Sequence, residues 1–159
     1  MEGNPSCCVL CKTKEEDSTH LFDGCSFVRI FWNQFCDWWG VNWVGVESFD
    51  ALLKILFSVN FSGHICSLWL IALAATLWSI WLMRNENIFY IKKLYVKELL
   101  FNSKMRALVW MKALKSGSFG NADDWWERPI TCLNVGCLGL THWLRRGGDL
   151  TFVCFLNGL

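Results

Sequence analysis

Four cysteines and a histidine fall within CCVLCKTKEEDSTHLFDGC, residues 7–25. The spacing is Cys8-x2-Cys11, eight intervening residues, then His20-x4-Cys25. Two thiolates three positions apart can close round one ion on a tight turn. A histidine and a cysteine five apart can approach the same ion from the start of a helix. Together they make a tetrahedral Cys3His donor set, which suits zinc. The intervening KTKEEDST is polar, as a loop between two ligand pairs should be. Cys7 could replace Cys8, but the pair would then be C-x3-C, so Cys8 is preferred. With four protein ligands no coordination position remains for water, and the metal is expected to be structural rather than catalytic. An apparent binding free energy on the order of 10–16 kcal/mol would make the first forty residues depend on it for folding.

Other candidate chemistry is thin. Asp123 and Asp124 in NADD are adjacent acids, but no apolar strands flank them and no third acid is placed nearby. His64 and His142 stand alone, with no nucleophile at a recognisable spacing, and there is no phosphate-cradling glycine loop. Cys36, Cys66, Cys132, Cys137 and Cys154 read as apolar fillers. An odd total of nine cysteines, with no secretory signal in MEGNPSCC, argues against a disulfide scaffold and for an intracellular protein.

The elements that must position the metal ligands are helical. In SFVRIFWNQFCDWWG, Phe27, Phe31, Phe35 and Trp38 share one row and Val28, Trp32, Phe35 and Trp39 an adjacent one, with Gly40 as the stop. Ser48 is placed to cap a short helix through FDALLKILF. Residues 65–83 carry no formal charge. They read as a buried core helix, with a membrane span as the alternative. Helical periodicity continues through 84–115, assuming no break. It groups Ile88, Ile91, Tyr95, Leu99, Val109 and Ala113 on one side and Lys93, Lys97, Lys104 and Lys115 on the other. That stretch has eight bases and two acids in a chain of net charge +1. It is either a solvated lysine face or a phosphate-contacting stripe for RNA or DNA. Aromatic interleaving is absent from the lysine face so drawn, which weakens a single-strand stacking role. Residues 116–124 read as a linker, and the last thirty residues show no convincing period.

Two segments resemble one family. CVLCKTKEEDSTHLFDGCSFVRIFW resembles the zinc-binding region that follows the reverse transcriptase domain in plant non-LTR retrotransposons. The matching residues are Cys8, Cys11, Glu16, His20, Leu21, Phe22, Cys25, Phe27 and Trp32. LWSIWLMRNENIF is similar to the W-x2-W-x2-R-N-x3-F stretch that often follows, through Trp78, Trp81, Arg84, Asn85 and Phe89. The family's polymerase motif is not matched by NADD, and Ser26 stands where a proline is often found. The resemblance implies a non-catalytic module from a mobile-element protein. Its partners would be nucleic acid and a reverse transcriptase domain.

The expected fold is mainly α: an N-terminal zinc-stabilised turn followed by a helical bundle, with an irregular C-terminal tail. The expected divisions are a zinc-binding region at 5–60, a helical extension at 61–115, and a linker and tail at 116–159. Hydrophobic residues make up 53% of the chain and charged residues 18%, below the usual value of about 25%. So few polar residues leave apolar surface for a partner or a membrane to cover.

Overall fold

The aromatic run after Cys25 forms helix α1, Ser26–Trp39. The structure, a computed structural model, describes residues 7–46, 48–61, 63–90, 92–114 and 122–131. Helical periodicity buries Val28, Phe31, Trp32, Phe35, Cys36, Trp38 and Trp39 of α1. Gly40 then stops the helix at φ 66°, a left-handed conformation that glycine adopts without a Cβ clash. Helix α2, Phe49–Ser58, starts where Ser48 accepts the Ala51 amide at 3.2 Å through its hydroxyl. It buries Leu52 and Leu56.

Helix α3, Gly63–Phe89, is the longest element. Its most extensive packing is against α4, Val96–Leu114. A short helix α5, Ala122–Glu127, and a 3-10 turn at Pro129–Thr131 complete the described chain. The protein is therefore a mainly α, bundle-like fold. Among the described residues there is no strand, only an isolated antiparallel bridge between Cys7 and Glu15.

Residues Ile65–Phe89 are long and apolar enough to cross a membrane by length and composition, yet most of their apolar window is buried inside the fold. Three polar side chains of α3, Ser67, Thr76 and Ser79, are buried too. Ser79 donates its hydroxyl to the Ala75 carbonyl at 2.6 Å and accepts a hydrogen bond from Arg106 of α4. That exchange satisfies one polar group on a helix that is apolar nearly all round.

The unbroken helix expected over 84–115 is not present. α3 stops at Phe89 and α4 begins at Val96. A break resets helical phase, so a face extrapolated across it at about 100° per residue loses its meaning. Leu99 stays inside, but Ile88, Tyr95, Val109 and Ala113 are exposed. The inward row of α4 is Leu99, Ser103, Ala107 and Met111, and Phe101, Met105 and Val109 face out.

One cluster of buried residues runs from Cys8 to Trp125, across the divisions expected near 60 and 116. Its centre is aromatic: Trp32, Trp39, Trp69 and Trp125 are all fully buried. Trp39 meets Trp69 edge-to-face at 5.1 Å, and Trp38 meets Trp125 at 4.7 Å. Trp125 lies in the segment read as linker and tail. Its indole donates to the Lys104 carbonyl at 3.2 Å, and its own carbonyl accepts from Trp38 at 3.1 Å. The rest of the expected tail, from 132 onward, lies outside the described residues.

Candidate metal centre

Cys8 and Cys11 sit on a turn that closes tightly. The Cys8 amide donates to the Lys14 carbonyl and the Lys12 amide to the Cys8 carbonyl, both at 2.8 Å. Lys12 takes φ 57°, a left-handed conformation that costs a non-glycine residue about 1–2 kcal/mol. The turn folds the chain back so that both sulfurs face the second ligand pair.

That pair is held differently from the expected start of one helix. His20 opens a π-helical turn, His20–Gly24, closed by the Cys25 amide on the His20 carbonyl at 2.6 Å. Cys25 is extended, with φ −72° and ψ 125°, and serves as N-cap of α1. Asp17 places the turn: its carboxylate accepts the His20 amide at 2.6 Å and its carbonyl the Leu21 amide at 2.8 Å. Trp32 ties the turn to α1 by donating its indole N–H to the Phe22 carbonyl at 2.6 Å. Gly24 leaves room for the imidazole, since a Cβ there would lie 3.3 Å from His20 Nδ1.

The four ligand atoms of Cys8, Cys11, His20 and Cys25 converge within 4.8 Å of one another. Cys8 Sγ and Cys25 Sγ are 4.0 Å apart, and Cys11 Sγ lies 3.2 Å from His20 Nε2. A zinc ion with bonds of about 2.3 Å to sulfur and 2.0 Å to nitrogen sets tetrahedral edges of about 3.8 Å and 3.5 Å. These two separations lie close to those edges, and a Cys3His donor set suits such an ion. Cys7 pairs its backbone with Glu15, and it is Cys8 whose sulfur lies in the cluster that could hold a metal ion.

The two buried thiols are shifted in opposite directions. Cys25 is drawn below the ordinary thiol range, first by the Cys8 thiol and then by the Val28 and Phe27 amides at the helix start. Cys8 is pushed up, first by its hydrogen bond to Cys25 and then by burial. Cys8 Sγ donates toward Cys25 Sγ at 4.0 Å, and binding of a metal ion by thiolates would release such a proton. Cys36 is a contrast: burial pushes its thiol up to about 12, as suits an inert apolar filler.

A second contact links the centre to α3. Arg84 Nε donates to Glu16 Oε1 at 2.6 Å, and Arg84 also bonds the Asn85 side chain at 3.0 Å. Glu16 belongs to the loop between the two ligand pairs, sixty-eight positions from Arg84. The two sequence segments noted above are therefore neighbours in space. Trp78 and Trp81 stack at 4.7 Å on the same helix.

The lysines do not form one row. Lys93 and Lys97 are exposed. Lys104 is half-buried, its ammonium 4.3 Å from the centre of the Trp38 ring and donating to the Trp126 carbonyl at 3.2 Å. Burial lowers its pKa. Lys115 and His142 lie outside the described residues.

Asp17 and Lys12 are site residues the sequence reading missed. An Asp three positions before a ligand is a visible capping signal. A lysine in a left-handed turn leaves no trace in sequence.

The fold and the site define a small helical protein with a closed Cys3His cluster able to hold a metal ion. No protein-family model, curated protein or solved structure matches the chain.

Proposed function

We propose that this chain is a non-catalytic zinc-binding module of the kind that follows the reverse transcriptase domain in plant non-LTR retrotransposons. In this reading it works inside the cell, assisting a reverse transcriptase domain in holding RNA or DNA. The observation that carries it is the closed Cys8–Cys11–His20–Cys25 cluster. The Glu16–Arg84 pair supports it, because it joins the two segments that resemble the family.

Metal analysis of the purified protein tests the first part. About one zinc per chain is expected, retained in Cys7→Ser and lost in Cys25→Ser. Zinc near zero, or retention in Cys25→Ser, would sink the claim. Nucleic-acid binding should weaken steeply with salt, and the slope should fall when Lys93 and Lys97 become Ala. A flat response removes that role.

The length and apolar character of α3 support a second reading, a small membrane protein anchored by residues 65–83. The extensive burial of α3 against the rest of the fold favours the first. Carbonate extraction separates them, since a spanning protein stays with the membrane.

A further inference from the structure

The break between α3 and α4 changes what the basic region presents. Phe89 is 77% exposed, Tyr90 66% and Tyr95 51%. These three rings flank or lie within the connection that also carries Lys92 and Lys93, with Lys97 in the first turn of α4. All three lysines are exposed. Lys93 holds its ammonium 5.4 Å from the centre of the Tyr95 ring, so charge and ring are offered together. Acidic neighbours are Glu86, which pairs with Lys92 at 3.3 Å, and Glu98.

Exposed rings among cations suit a ligand that offers both flat faces and phosphates. Bases stack on aromatic faces while lysines follow the phosphates, without need of a sequence. We infer that the α3–α4 connection is a binding surface for single-stranded nucleic acid, with Phe89, Tyr90 and Tyr95 as stacking platforms and Lys93 and Lys97 as phosphate contacts. The positive charge of 84–115 supplies the complementarity. This rests on the nucleic-acid role proposed above and narrows it to unpaired strands. A duplex hides its base faces and gains nothing from exposed rings.

The test uses the full zinc-loaded chain and a fluorescein-labelled oligo(dT) 20-mer, read by anisotropy. Single strand should bind more tightly than a duplex of equal length. Tyr90→Ala/Tyr95→Ala should weaken it by roughly 5- to 100-fold per lost stack with the salt slope unchanged. Tyr90→Phe/Tyr95→Phe, which keeps the rings, should bind as the parent does. Lys93→Ala and Lys97→Ala should each lower the slope by about 0.7. Circular dichroism checks that each variant is folded. If the alanine ring variants bind as the parent while the lysine variants weaken, contact is electrostatic only; the stacking inference falls and the nucleic-acid role stands. Equal affinity for duplex has the same meaning. No binding to either probe at low salt overturns both. Ring-dependent binding to phosphatidylserine vesicles, with none to the oligonucleotide, assigns the surface to a membrane and overturns the inference.

Discussion

Two buried tryptophans of α1 look equivalent in sequence and are not equivalent in the fold. Trp32 donates its indole N–H to the Phe22 carbonyl. Trp39 Nε1 has no hydrogen-bond partner among the described residues. Replacing either by Phe removes similar volume, but Trp32→Phe also strands a carbonyl beside the metal centre. That loss costs about 1–3 kcal/mol beyond the packing term, so Trp32→Phe should lower the urea midpoint clearly more than Trp39→Phe. Equal midpoints would contradict the assignment. The grouping of Cys8, Cys11, His20 and Cys25 was legible at this scale, because cysteine and histidine spacing is a local property. The π-helical turn and the left-handed Lys12 that aim them were not.

At the scale of elements, α3 does more than fill the core. Arg84 reaches from its C-terminal half to Glu16 and holds the ligand loop down. The pair is partly exposed, and such pairs contribute about 0–1 kcal/mol to global stability. Its larger effect is expected on the loop between the two ligand pairs, which it ties to α3; groups bonded directly to metal ligands change affinity by roughly 10- to 100-fold, and this pair acts at one remove. Arg84→Met should speed zinc transfer to a chelator by roughly tenfold while the melting temperature barely moves. An unchanged transfer rate would refute the link. Helices α1 and α2 could be read from period and capping, and α3 from its long uncharged apolar run, since those signals are local in the chain. The end of α3 could not. The residues across the break, TyrIle and LysLysLeuTyr, keep a mixed apolar and basic pattern that a continuous helix would also accept.

Across the whole molecule, the core is closed by a residue from the segment that reads as linker and tail. Trp125 is fully buried against Trp38 and Trp39 and bonded to α4. Trp125→Ala should cost about 3–5 kcal/mol, the range for removing a buried aromatic ring, measured by denaturant unfolding of the zinc-loaded protein. A change below about 1 kcal/mol would mean that α5 does not complete the core. Because α1 shares this core with α3 and α4, a chelator that strips metal from the cluster should raise amide hydrogen exchange most in residues 7–25. The aromatic face of α1 keeps apolar support that the turns lack. By itself the sequence determined the Cys3His donor set, the aromatic face of α1 and the helical class, because each is written in spacings shorter than a few turns. Only tertiary structure decided that Glu16 meets Arg84, that Trp125 belongs inside, that Lys104 lies over Trp38, and that a ring-bearing connection replaces a continuous lysine face. Those outcomes depend on contacts between residues far apart in the chain, and no local period records which distant surfaces will meet.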